Sequence, residues 1–224
     1  MMEKGLLKEA LIKYAAGILL VGLLLFLPAG TLKWENGWLF MMILFVPMFL
    51  AGIVMYLKAP DLLRSRLNAK ETQKEQKSVI GYSGLMFLAA FITAGLDYRF
   101  SFTKMPKAVV IISCIVFLLA YAMFAEVLRE NAYLSRTIEV QKDQEVVDTG
   151  LYGIVRHPMY TATIFLFLAM PLILGSLPSF VIMLAYIPII VKRIRNEEEV
   201  LEKELKGYKE YKEKIRYRLI PWIW

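Results

Sequence analysis

The sequence predicts an all-α, polytopic membrane protein with about five to six transmembrane helices, a C-terminal helical hairpin and a cytoplasmic amphipathic helix. Three observations predict it. Of 224 residues, 58% are hydrophobic and 21% charged, which is more apolar surface than one soluble core of this size can bury. The apolar residues gather in charge-free runs: Tyr14–Leu32 (19 residues), Asn36–Leu57 (22), Ser78–Leu96 (19), Ala108–Ala125 (18) and Pro158–Val191 (34). Each is long enough for the roughly 20 residues of helix that cross about 30 Å of hydrocarbon. Finally, the lysines and arginines of alternate connecting segments number 23 and 4, a bias that the positive-inside rule converts into orientation.

The first four runs supply four spans. Met1–Ala10 leads into the first of them with no small-residue cleavage site, so it reads as a retained span rather than a signal peptide. The basic-rich set of segments includes both termini, which places both in the cytoplasm and requires an even number of crossings. The fifth run provides two of them, because as one straight helix its 34 residues would measure about 51 Å. Gly175-Ser-Leu-Pro178 is the turn. The legs, about 159–174 and 179–191, are short for full spans, and the second continues as a cytoplasmic helix through Lys192–Lys206, where no Gly or Pro intervenes. With Ile194 as origin, Leu201 and Leu205 fall within about 20°, Glu198 at about 40°, Glu197 at about −60° and Glu199 at about 140°. Two carboxylates therefore flank an apolar stripe and the third points away.

This divides the chain into a four-span scaffold, 1–125, and a C-terminal region, 126–224. The latter comprises a cytoplasmic cap (126–157), the membrane hairpin (158–191) and the helix with its tail (192–224). In the cap, Thr137–Gln141 and Glu145–Val147 alternate weakly like short extended pieces, and Asp148-Thr-Gly150 reads as a turn. One cysteine, Cys114, in an apolar run and one histidine, His157, offer neither a disulfide framework nor a Cys/His metal cluster. The basic residues are spread between spans rather than striped along a soluble face, so the bilayer, and not nucleic acid, is the partner they indicate.

The chemistry concentrates at Arg156-His157-Pro158-Met159-Tyr160. Proline is favoured in a first helical turn, which puts His157 near the N-cap and Tyr160 on roughly the same face. A helix N-terminus suits a carboxylate or another anionic group. The second leg returns to the same side with Arg193, Glu197 and Glu198 about 3 to 10 Å beyond Val191. His157 and Tyr160 are thus expected to face the glutamates across a small gap, with Tyr152 beside them. Such a pocket suits a zwitterionic ligand with hydroxyls and a cation. Taken singly, each feature also has a plainer reading: an interfacial cap for His157–Tyr160, a solvated face for Glu197–Glu199, membrane-anchoring charges for Arg193 and Arg195. Asn131, just after the fourth span, caps a helix or touches substrate.

The run Val146-Val-Asp-Thr-Gly150-Leu-Tyr152-Gly-Ile-Val-Arg156-His157-Pro158-Met-Tyr160, the apolar hairpin, and Arg193-Ile-Arg-Asn-Glu197-Glu198-Glu-Val-Leu201 together resemble the C-terminal half of the isoprenylcysteine carboxyl methyltransferase family, to which phospholipid methyltransferases are related. The resemblance extends over about 127–221. It implies a membrane enzyme that uses S-adenosylmethionine without a Rossmann domain. By position in the family pattern, the cofactor residues are Gln141, Val146, Val147, Tyr152, His157, Pro158, Met159, Tyr160, Glu197 and Glu198, and Arg193 is the catalytic, substrate-binding arginine. The extra Glu199 leaves the glutamate register open between 197/198 and 198/199, and Leu205-Lys-Gly207 stands where the family has Phe-Gly.

Those roles agree with elementary chemistry. Methyl transfer from a sulfonium is an in-line displacement in which holding the reactants in near-attack geometry is worth roughly 7–11 kcal/mol. An arginine fork orients a carboxylate bidentately, carboxylates bind ribose hydroxyls or an amino group, and tyrosine faces stabilise a cation. The expected acceptor is a lipophilic or prenylated molecule arriving from the bilayer. Two other readings stand beside this one. The C-terminal region of sterol reductases, which use NADPH, resembles the same pattern, and a non-catalytic membrane-anchoring protein also accounts for the topology.

Overall fold

The computed structural model describes residues 4–67, 74–134, 140–141 and 143–224. Four long helices form the first layer: α1 (Lys4–Ala29), α2 (Glu35–Lys58), α4 (Lys74–Phe100) and α5 (Lys107–Glu130), with a short α3 (Pro60–Leu67) after α2. α2, α4 and α5 each contain one of the charge-free runs and α1 covers all but the last three residues of the first, because hydrocarbon accepts an all-internal hydrogen-bonded helix and rejects unpaired charge. Their outer faces carry Leu19, Leu23, Leu27, Met42, Ile111 and Leu119, all more than half exposed. In water such a belt would drive aggregation; in a bilayer it is the solvated surface.

Inside, aromatic side chains from successive helices interlock. Phe40 packs against Phe91 and Phe117 with ring centroids 5.8 and 6.3 Å apart, and Trp34, buried ahead of α2, stacks on Tyr98 of α4 at 5.0 Å. Into this layer runs α6 (Pro158–Leu174), a helix of 17 residues, about 26 Å long. It lies alongside α5 and touches α2, α4, α7 and α8. Its short length is tolerated because Leu166, Met170, Ile173 and Leu174 meet protein rather than lipid.

At the far end of α6 the chain reverses where the turn was expected. Gly175 adopts φ +81°, closing the helix through its N–H to the Leu172 and Pro171 carbonyls, a left-handed C-terminal cap that glycine takes without strain. Ser176 then caps α7 (Leu177–Met183) by accepting from the Ser179 N–H at 3.2 Å, and the Ser179 hydroxyl donates to the Ala90 carbonyl of α4. The return leg is not one helix. It breaks at Leu184–Ala185 and resumes as α8 (Tyr186–Glu204). Pro188 explains the break, because it lacks the N–H that would bond to the Leu184 carbonyl. Five helical segments among the described residues, counting 177–204 as one, are long and apolar enough to cross a membrane, and α6 is a further apolar helix that is shorter than these. The protein is a multi-pass, all-α membrane protein.

Beyond the membrane, α8 continues as expected, with Ile190, Ile194 and Glu198 buried and Arg195 and Glu199 exposed. After Gly207 follow α9 (Tyr208–Lys214) and a tail that folds back along the start of α6. The N–H groups of Arg156 and His157 donate to the carbonyls of Tyr217 and Arg218, each at 2.9 Å. A small second core of Leu205, Tyr208, Tyr211 and Ile215, with Val146 and Leu201 against it, holds this layer together. Of the extended pieces expected in the cap, Thr137, Ile138 and Glu139 lie outside the described residues. Val140, Gln141 and Glu145–Val147 form no strand, having no partner strand to pair with among the described residues.

Candidate functional site

The start of α6 and the exit of α8 meet on one membrane face. Pro158 occupies the first helical position and His157 the N-cap, but the imidazole does not cap the helix; its Nε2 lies 3.2 Å from Oε1 of Glu198. Glu198 is the hub. Its Oε1 also accepts from Arg156 Nε at 2.8 Å, and its Oε2 accepts from Arg218 Nε at 2.9 Å and Nη2 at 2.8 Å. Arg156 sends its Nη1 to the carbonyls of Ile215 and Arg216. Arg156, His157 and Glu198 are all buried, so one carboxylate clamps α6, α8 and the tail, and two guanidinium groups leave the cluster with a net positive charge.

One turn along, Tyr160 bridges the hairpin legs. Its hydroxyl donates to Glu197 Oε2 at 2.5 Å and accepts from Arg193 Nε at 2.9 Å. Deeper between the legs, the hydroxyls of Thr163 and Tyr186 pair at 2.8 Å. The Glu197–Tyr160–Arg193 relay is a polar line at the edge of hydrocarbon, the setting in which ionisable groups usually serve a site.

Against these residues opens a cleft of about 770 Å³, its open mouth included. Its far wall is the segment after α5. Gly150 there has φ +52°, and a Cβ would collide with the Glu130 carboxylate, whose Oε2 accepts from the Leu151 N–H at 3.0 Å. This geometry sets the single-turn helix Gly150–Gly153 that presents Tyr152, whose hydroxyl accepts from Asn131 Nδ2 at 3.0 Å. Tyr208 and Tyr211 of α9 close another side. Tyr211 donates to the Tyr152 carbonyl at 2.8 Å, whereas the Tyr208 hydroxyl is buried with no hydrogen-bond partner among the described residues. Burial pushes the phenols of Tyr152, Tyr208 and Tyr211 well above their ordinary range, with Glu198 and Glu197 adding to the effect at Tyr208. All three are neutral donors at neutral pH. An unspent buried donor costs about 1–3 kcal/mol, and one lining a cleft is an invitation to a ligand acceptor.

Of the residues expected from sequence, Val146, Val147, Tyr152, His157, Met159, Tyr160 and Glu197 line the cleft. Pro158 supports it from within α6. Gln141 is not among the lining residues: its side-chain amide donates to the Tyr133 carbonyl at 2.7 Å. Glu198 stands behind the wall, its oxygens occupied by Arg156, His157 and Arg218, and Arg193 lies behind Tyr160. Glu199, exposed on the other side of α8, leaves 197/198 as the inward pair. Sequence reasoning left Gln144, Leu201 and Leu205 unassigned as lining residues and singled out neither Tyr208 nor Tyr211 for the site. The last two sit in α9, whose place depends on how the tail folds back. Their recurrence three residues apart, on one helix face, was the available signal.

Fold and cleft define a multi-pass membrane protein with a polar, aromatic-lined cleft at one face of the bilayer. Residues 108–207 match the family described as Phospholipid methyltransferase, which includes the isoprenylcysteine carboxyl methyltransferases. The matched stretch contains both the His-Pro-x-Tyr segment and the glutamates. The chain is also similar to the Delta(14)-sterol reductase TM7SF2 of Mus musculus, 29% identical over 91 residues, which is 39% of this chain and 22% of that protein. It therefore aligns with about a fifth of that relative's length.

Proposed function

We propose that this protein is an S-adenosylmethionine-dependent methyltransferase that acts on a lipophilic acceptor drawn from the bilayer, its cleft and both termini facing the cytoplasm. The observation that carries the reading is the joint of Tyr160 with Glu197 across the hairpin, beside a cleft that also presents the unspent hydroxyl of Tyr208. The residues fit the cofactor's groups. Glu197 suits ribose hydroxyls or an amino group, the Arg156 guanidinium beside His157 suits a carboxylate, and the faces of Tyr152, Tyr160, Tyr208 and Tyr211 suit a sulfonium. Val146, Val147 and Met159 supply apolar contact for a purine. When bound, S-adenosylmethionine supplies an electrophilic methyl group. The protein contributes position, and a carboxylate acceptor needs no strong general base.

Arg193 is assigned to the acceptor. Tyr160 fixes its guanidinium, and a fork held in this way orients a carboxylate such as that of an isoprenylcysteine. Glu198 acts behind the site by holding Arg156 and His157 in place. Gln141 supports the loop wall through Tyr133.

Calorimetry or thermal-shift measurement on purified protein with S-adenosylmethionine, S-adenosylhomocysteine and NADPH tests the proposal. Stabilisation by the first two is expected. Stabilisation by NADPH alone would defeat it in favour of a reductase, the reading that the similarity to the sterol reductase favours.

A further inference from the structure

On the side of α8 away from the cleft, α4 and α8 enclose a second groove of about 1140 Å³, its open side included. Its polarity changes along the helix axis. Val79, Ile187, Pro188 and Val191 line the membrane end, whereas Lys192 and Arg195 line the outer end. Lys192 is the first charge after the 34-residue run Pro158–Val191, so the change falls where hydrocarbon gives way to head groups. Lys192 reaches across to Ser78 of α4, Nζ to Oγ 3.4 Å, and Arg195 is exposed. Glu199 lies at the outermost end of the lining and forms no ion pair with either residue among the described residues. The two cations and this carboxylate leave the mouth with a net positive charge.

An apolar trough about 6 Å long along α8, from Ile187 to Val191, leading into two cations has the polarity of one molecule class present at that depth, a phospholipid with an anionic head group. We propose that this groove binds an anionic phospholipid of the adjoining leaflet, its phosphate between Lys192 and Arg195 and an acyl chain along Ile187, Pro188 and Val191, so that the lipid ties α4 to α8. The site lies on the opposite side of α8 from Glu197 and Tyr160 and does not depend on what the cleft binds.

The test compares binding of phosphatidylglycerol and phosphatidylcholine by native mass spectrometry and thermal shift in detergent. It uses the wild type, the double variant Lys192→Gln/Arg195→Gln, and a control, Lys104→Gln/Lys107→Gln, from the α4–α5 connection and the first residue of α5 at the other membrane face. Phosphatidylglycerol should raise the melting temperature of the wild type and control but not of the double variant. The double variant should bind it roughly 30-fold more weakly, the effect of two cations at an anionic surface. If the double variant does not fold, salt titration of the wild type replaces it: affinity should fall as salt rises. Equal binding of phosphatidylcholine, an equal loss in the control, an unchanged affinity in the double variant, or salt-independent binding overturns the proposal.

Discussion

Replacing Glu198 with alanine removes the carboxylate shared by Arg156, His157 and Arg218 and leaves buried positive charge uncompensated. Breaking a buried ion pair by deleting one partner costs about 3–5 kcal/mol. For a chain of this size each kcal/mol shifts the melting temperature by about 2–4 °C, so a fall of about 6–20 °C is expected in a detergent-solubilised thermal melt. The adjacent Glu197→Ala is the internal comparison. That side chain is half-buried at the cleft edge and is held by the Tyr160 hydroxyl, so its loss should cost about 1.5 kcal/mol, the low end for a bond to a charged group, a shift below about 6 °C. Binding should separate the pair the other way, with Glu197→Ala weakening S-adenosylmethionine directly. If Glu198→Ala melts within about 4 °C of the wild type, or both variants fall equally, the assignment of one glutamate to architecture and its neighbour to ligand is wrong.

Tyr160→Phe deletes a hydroxyl bonded to two charged groups, worth about 1.5–3 kcal/mol of stability, so thermal melts should fall by about 3–12 °C and calorimetry should show weaker S-adenosylmethionine binding as Glu197 loses its anchor; an unchanged affinity would contradict the proposed role. Tyr208→Phe removes a buried hydroxyl that has no partner among the described residues, so the ligand-free protein should be as stable as the wild type or up to about 1–3 kcal/mol more stable while its affinity for the cofactor falls; a clear loss of ligand-free stability would reveal a partner for that hydroxyl. Alkaline pH tests the three buried phenols together. Because their folded pKa values lie above the unfolded value of about 10, the stability they contribute is complete below that pH and is lost as pH rises beyond it. Thermal melts should be flat up to about pH 9 and fall above it, less steeply in Tyr211→Phe; an unchanged slope in that variant would place the loss elsewhere.

The spans were readable in advance because transfer into hydrocarbon is priced residue by residue: an uncharged run such as Ala108–Ala125 has no alternative but α5. The inward face of α8 was readable for a similar reason. A 3.6-residue period already separates Glu197 and Glu198 from Glu199, and a hairpin turn at Gly175 obliges its two ends to meet. The division of labour between the glutamates was not readable, since both match the same motif. Nor was Gln141, chosen by position, shown by its residue type to be turned toward Tyr133. The break at Leu184–Ala185 was signalled by Pro188, but an apolar run outweighs one proline when spans are counted.

Local chemistry thus specified what crosses the membrane, which way α8 faces and where the charged segments lie, because hydropathy and helical period are properties of neighbouring residues. Folding specified the rest: that Arg156 and Glu198, 42 positions apart, share a buried ionic clamp, that Tyr208 and Tyr211 close the cleft, and that the tail runs beside α6. These arrangements depend on how rigid helices pack and on which buried polar groups find partners. Such pairings are made through space between distant parts of the chain, and no window along it contains them.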